Sequence, residues 1–291
     1  MRIRPTQQTL LIAAMLATGV SPISKAQWSI GSPGKREPPP GKHRYAMLVF
    51  ANPIPGRETE FNDWYTNTHM GDLVQLQGWV GAQRFRIITN VTPRPTAAGY
   101  NHGYLIIWDL EETDANSALG RMTAAIAGGK SRLGAAFNYT PGAGANGTFE
   151  TRGPRITRPD GKGPTLPDPS DNKTPRPNRY ILMDFANPLP GRETEFDASE
   201  NRIIESVLKL PGWMAAQRFQ LVDTPGRPSA KPKYLTVWET EGASAQTVQD
   251  TLSSAKKNGL VQKNSGVDHD TAEMVYWEAI TPYITKNDFV R

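Results

Sequence analysis

The chain has 291 residues, 33 Lys+Arg against 28 Asp+Glu for a formal charge of +5, and no cysteine. A disulfide framework, a thiolate-bound zinc or iron–sulfur centre and a cysteine nucleophile are therefore excluded. Four histidines, at 43, 69, 102 and 269, include no H-x-H or H-x-x-x-H pair, so the sequence carries no local metal-binding motif of that kind.

Residues 1–26 read as a secretory signal: Arg2 and Arg4 give a basic start, Leu10 to Val20 an apolar run, and Ser24-Lys25-Ala26 a small-residue end. The run is too short for a membrane span, which needs about 20 apolar residues. Its removal takes away Arg2, Arg4 and Lys25 and no acid, so the charge falls from +5 to +2. That argues for a periplasmic or secreted protein and against a nucleic-acid partner, whose phosphates require a dense basic surface. A Gly/Pro-rich tail over 27–42 follows.

The first unit is expected over 43–152. Tyr45 to Ala51 is a short apolar strand stopped by Asn52-Pro53. The Pro55-Gly56 turn opens a helix with Glu58 and Glu60 as N-terminal acids, in keeping with the helix dipole. Phe61, Trp64, Tyr65, Thr68, Asp72, Leu73 and Leu76 share one side at helical spacing, which predicts a single helix closed by Gly78. Trp79 to Thr89 and Tyr104 to Leu110 read as strands, Asp114 to Ala127 as a second helix, and Gly147 to Arg152 as a weaker strand. Residues 153–178 hold seven prolines and three glycines and read as an extended, solvated connector.

The second unit, 179–285, repeats the first. Ten of eleven residues are identical between Ala51–Phe61 and Ala186–Phe196, and Gly78–Phe85 and Tyr104–Asp109 return as Gly212–Phe219 and Tyr234–Glu239. Met274 to Ala279 supplies its last strand. A β-α-β-β-α-β order is the ferredoxin-like unit, an antiparallel sheet with helices on one face only. The fold class expected is α+β: two tandem ferredoxin-like units packed sheet to sheet as a single-chain dimeric α+β barrel.

The motif residues Asn52 to Phe61, Trp64-Tyr65, His69, Asp72 and Gly78 to Phe85 resemble the EthD-like group of dimeric α+β barrel proteins. That resemblance implies a pocket within a unit, beside the first helix, with a histidine as acid/base. Gly71 departs from the pattern, standing where a proline often follows the His-Leu pair.

His69 lies about 80° around the helix from Phe61 and so belongs to the apolar stripe. Asp72, at i+3, is placed to hydrogen-bond the imidazole and select its tautomer. The second copy is one residue shorter here, so His69 falls on Ile203 or Ile204, and Asp72 on Ser206 or Val207. Trp64 and Tyr65 become Ser199 and Glu200, leaving the expected site in the first unit alone. Trp64, Tyr65, Gln83, Arg84 and Trp108 are the candidate substrate-binding residues. Because Gln83-Arg84 recurs as Gln217-Arg218, a structural role competes with substrate contact. By the same logic Trp79/Trp213 and Trp108/Trp238 read as barrel core, and His43, His102 and His269 as solvated.

Two functions are compatible with this pattern. One is an exported enzyme without metal or other cofactor, of lyase, isomerase or oxygenase type, acting on a small apolar or aromatic molecule through His69 and Asp72. The other is a non-catalytic small-molecule-binding or structural barrel in which His69 is a buried core residue. An enzyme requires His69 to face a cavity of about 300 Å³ or more. A haem site is disfavoured, since the second copy offers only His269, expected in a polar loop. After signal cleavage no membrane partner is expected, and a homo-oligomer is not required.

Overall fold

The computed structural model describes residues 38–91, 102–140, 144–159, 178–222 and 232–289. The expected signal segment lies outside the described residues, as do positions 27–37 of the tail and 160–177 of the connector. The first unit runs β1 (His43–Ala51), α1 (Glu58–Trp64), a π-helical turn (Tyr65–His69), α2 (Met70–Val74), β2 (Trp79–Ile87), β3 (Tyr104–Glu112), α3 (Ala115–Ala127) and β4 (Gly144–Thr151). A short β5 (Ile156–Thr157) follows. The second unit runs β6 (Arg179–Pro188), α4 (Glu193–Val207), β7 (Trp213–Leu221), β8 (Tyr234–Glu241), α5 (Ala245–Lys257) and β9 (Val267–Ala279), and β10 (Ile284–Thr285) comes last. Both units show the expected order of elements.

Equivalent positions also build equivalent details. Asp114 caps α3 by accepting from the Ser117 amide at 3.0 Å, and Ser244 caps α5 by accepting from the Thr247 amide at 3.1 Å. Each cap satisfies an amide that the first helical turn leaves open. The register slips at Trp79/Gly81 in one unit and at Trp213/Ala215 in the other.

The strands form one antiparallel sheet in the order β10-β2-β3-β1-β4-β7-β8-β6-β9, and a further pairing of β2 with β9 closes it. Two seams join the units: Phe149 to Thr151 pair with Leu221 to Phe219, and Phe85 to Ile87 pair with Ala279 to Trp277. Closure leaves the barrel strands no free edge between the units. Strand alternation then sorts the side chains. Leu48, Phe50, Leu105, Ile107, Ile181, Met183, Phe185, Val237 and Trp277 share the barrel interior. Their neighbours point outward beneath the helices, with Met47, Trp79 and Trp108 in the first unit and Leu182, Trp213 and Trp238 in the second.

The repeated tryptophans are thus not barrel core, as their recurrence suggested. Leu105 and Ile107 take the inward parity of β3, which turns Trp108 to the helix side, where it meets Trp79 edge to face at 5.1 Å. Trp213 and Trp238 do the same at 5.3 Å.

The start of the connector also departs from expectation. Ile156 and Thr157 pair with Ala216 and Ala215 of β7, and Arg155 donates to both carboxylate oxygens of buried Glu239 at 2.6 and 2.5 Å. β10 makes the reciprocal contact, pairing with Ala82 and Gly81 of β2. Each unit therefore ends in a short strand clasped onto the other unit, and beside the first clasp Arg155 neutralises the desolvated Glu239 carboxylate.

The minor histidines separate. His43 is exposed, with its Nδ1 2.8 Å from Glu150 Oε1. His102, expected in solvent, is buried beside the Phe50 ring. His269 is exposed but belongs to strand β9 rather than a loop. No helix among the described residues is long and apolar enough to cross a membrane.

Candidate functional site

The segment expected as one helix is interrupted. The first unit has one residue more than the second between the start of this segment and the glycine that follows it. In the second unit α4 runs unbroken, whereas here the surplus is taken up by the π turn Tyr65–His69. Such turns widen the backbone spiral locally and recur at functional sites.

Arg84 braces the turn. Its guanidinium donates to the Asn62 carbonyl at 3.1 Å, to Asn62 Oδ1 at 2.6 Å and to Thr66 Oγ1 at 2.6 Å. It also lies 4.9 to 5.7 Å from the Phe61, Tyr65 and Tyr104 ring centres, so three aromatic faces carry its charge. Burial lowers its pKa to about 10. In the second unit Asp197 replaces Asn62, and Arg218 forms an ion pair with it. The first unit has the arginine without the carboxylate.

The turn buries Tyr65 and His69 together. Their rings meet edge to face at 5.0 Å, and the imidazole stacks on Trp64 at 4.7 Å and 26°. Trp64 is seated in turn: its indole N–H donates to the Arg132 carbonyl at 3.2 Å, and a Cβ at Gly134 would lie 2.3 Å from its ring. Gly71 is explained similarly, since the Phe289 ring lies 2.9 Å from where a Cβ would stand.

His69 Nδ1 lies 3.2 Å from Ser131 Oγ, and both residues are buried. When Nδ1–H donates to this hydroxyl, Nε2 is left as an acceptor. Burial alone lowers the imidazole pKa from 6.5 to about 4, so His69 is neutral at neutral pH. The Tyr65 hydroxyl is pushed up by burial, against the pull of Arg84.

These groups line a cavity of about 320 Å³. Its walls are Met47 and Val49 of β1, Trp64, Tyr65, His69 and Leu73 of the helical segment, Trp108, the α3 residues Leu119, Met122 and Ile126, and Asn146 and Thr148 of β4. Leu221 and Val222 come from the second unit, so the cavity lies across a seam of the barrel. Leu133 and Tyr139, 56 % and 55 % exposed, form its apolar edge.

Of the residues expected at the site, His69, Trp64, Tyr65 and Trp108 meet in this cavity. Asp72 does not serve the imidazole. Its carboxyl pKa is raised by partial burial and held back by the Arg132 backbone amide and side-chain charge, while His69 turns to Ser131 in the segment after α3. Gln83 is buried elsewhere, donating to the Thr281 carbonyl at 3.0 Å, as Gln217 donates to the Gly153 carbonyl at 3.1 Å. Both glutamines hold the clasping tails. Arg84 lies behind Tyr65, outside the cavity wall. No group of three His, Asp or Glu among the described residues could hold a metal ion. Ser131, the α3 wall and the two β7-end residues were missed by sequence reasoning; the one available signal was the surplus residue.

No protein-family model and no curated protein matches the chain. Among solved structures, an anthrone oxidase-like protein aligns with a TM-score of 0.53 at 10 % identity, over 85 % of this chain and 95 % of that one. A provisionally assigned monooxygenase of Lactobacillus acidophilus aligns at 0.47 and 9 % identity, over 84 % and 97 %. A mutant chlorite dismutase of Candidatus Nitrospira defluvii aligns at 0.43 and 11 % identity, over 85 % and 93 %. The first of these likenesses, taken with the β4–β7 and β2–β9 seams, gives the chain the dimeric α+β barrel fold, closed within one polypeptide.

Proposed function

We propose that this chain is an exported, EthD-like, cofactor-independent enzyme that moves a proton on a small apolar or aromatic molecule, with His69 as the base. The observation that carries this reading is a buried neutral imidazole, fixed at Nδ1 by Ser131, in the wall of an otherwise aromatic and aliphatic cavity. An apolar ring entering the cavity displaces water from its walls, and Nε2 then takes a proton from an acidic C–H or phenolic O–H. A base whose conjugate acid has a pKa near 4 is weak. It abstracts a proton only from a substrate whose anion is delocalised, and returns it readily. The anion and the imidazolium would form a close pair in a desolvated site, which offsets part of the cost of burying each charge. The anthrone oxidase-like neighbour shares the fold and suggests a polycyclic carbon acid as a first probe.

The test is hydrogen–deuterium exchange into anthrone, followed by NMR, with full-length protein and with His69→Ala and Ser131→Ala. A fall of about 100-fold or more is expected for His69→Ala and a smaller one for Ser131→Ala. Exchange and turnover of small aromatics that are indifferent to residue 69 would leave the non-catalytic binding reading, which the stacking of His69 on Trp64 favours.

A further inference from the structure

The second unit holds a cavity of about 420 Å³ in the place equivalent to the first, between the helices and the outer face of its own strands. The lining has changed character. Asp184 on β6 stands where β1 has Val49, Glu200 on α4 where the π turn begins with Tyr65, and Lys256 on α5 where α3 has Ile126. Three positions that make the first cavity apolar make the second one ionic.

The groups differ in depth. Lys256, Lys263 and His269 are exposed, where solvent and salt screen them, whereas Asp184 and Glu200 are partly buried and Glu273 is buried. Glu200 accepts from Asn264 Nδ2 at 2.8 Å and from Thr236 Oγ1 at 3.2 Å, bonds that fix its carboxylate. The Asp184 carboxylate makes no hydrogen bond or close ion pair among the described residues, and the charges that act on it are Glu200 and the exposed Lys256. Arg218, on the far side of the acid pair, is committed to Asp197, and the Tyr276 hydroxyl to Gln249. Neither adds to the solvent-screened charge of Lys256 at Asp184. Ile203, Val267 and Met274 give the wall an apolar part, and Gln262 adds a further polar group.

We propose that this second cavity binds a small organic cation, an ammonium group on an apolar body, with the ammonium at Asp184 and Glu200 and the body against Ile203, Val267 and Met274. An ammonium has three donors for the carboxylate oxygens and removes the repulsion between the two acids. No group of three His, Asp or Glu among the described residues is arranged for a metal ion, and an ammonium on an apolar body suits both the acids and the apolar part of the wall. Asp184 is held near pKa 7 by burial and then by Glu200, against Lys256. A bound ammonium lowers that pKa, so binding near neutrality releases part of a proton. The site is independent of His69, and its failure would leave the first cavity's chemistry untouched.

The experiment is calorimetric titration of the full chain with 2-phenylethylamine at pH 7, in two buffers of different ionisation enthalpy. Neutral 3-phenylpropan-1-ol and anionic 3-phenylpropanoate serve as controls. Expected are saturable one-to-one binding of the amine, proton release, binding weakened about tenfold or more in both Asp184→Asn and Glu200→Gln, and no change in His69→Ala. Melting curves establish that each variant is folded. The proposal is overturned if the amine does not saturate, if the alcohol binds as tightly, if both acid variants bind like the parent protein, or if His69→Ala abolishes binding.

Discussion

His69 and Asp184 couple folding to pH in opposite directions over nearly the same range. For His69 the folded pKa is about 4 and the ordinary value 6.5. The unfolded chain therefore binds the extra proton between those values, and the stability due to a neutral buried ring is complete above 6.5 and lost as pH falls towards 4. At about 1.4 kcal/mol per pKa unit this amounts to roughly 3 kcal/mol. For Asp184 the folded pKa is about 7 against 3.8. The folded chain binds the extra proton, so stability is highest below 3.8 and is lost as pH rises through 7. The nominal effect approaches about 4 kcal/mol, which solvent entering an open cavity reduces to roughly 1–2 kcal/mol. Urea unfolding of the parent protein, His69→Gln and Asp184→Asn at half-unit steps from pH 4 to 7.5, read by tryptophan fluorescence, separates the two. The advantage of the parent over His69→Gln should grow by roughly 3 kcal/mol between pH 4 and 6.5, and its deficit against Asp184→Asn by roughly 1–2 kcal/mol between pH 4 and 7. Differences independent of pH would refute the reasoning, because they would mean that neither group is desolvated as its surroundings require.

Two further outcomes rest on the barrel itself. Arg155→Ala strands the buried Glu239 carboxylate and should cost about 3–5 kcal/mol in urea unfolding, while Arg155→Met with Glu239→Leu should recover most of it; a loss below about 1 kcal/mol in the single variant contradicts the buried pairing. Arg84→Met removes three hydrogen bonds at the π turn. It should speed amide exchange at Tyr65 to His69 far more than Arg218→Met does across α4, and equal effects would show that the brace is not specific to the turn.

The long-range architecture was legible because it is written twice. The repeated Asn-Pro stop, helix-start acids and Gly-Trp strand entry set both units and their order, and the uncovered sheet face required a partner. Spacing placed His69 and its aromatic neighbours on the buried side of the helix, where they line the cavity. What escaped depends on choices that sequence periodicity does not carry. A hundred-degree count treats residues 58 to 77 as one spiral, whereas one surplus residue makes a π turn and redirects the imidazole from Asp72 to Ser131, 62 positions away in sequence. The tryptophans were misplaced because a fully apolar strand such as β3 hides its parity; only the register decides which residues face the barrel. The connector was read from its prolines, which say nothing of the single arginine that finds Glu239.

A barrel assembled from two identical chains is bound by its twofold axis: every substitution is made twice, and both lateral cavities must change together. Closing the same barrel within one polypeptide removes that constraint. A glutamate can replace a tyrosine on one side without touching its counterpart, as Glu200 and Tyr65 do. Both sides contribute to one shared interior, while the outer cavities remain chemically separate. Asymmetry of lining is thus a freedom conferred by connectivity, and it leaves one molecule of this chain with two cavities of unlike chemistry.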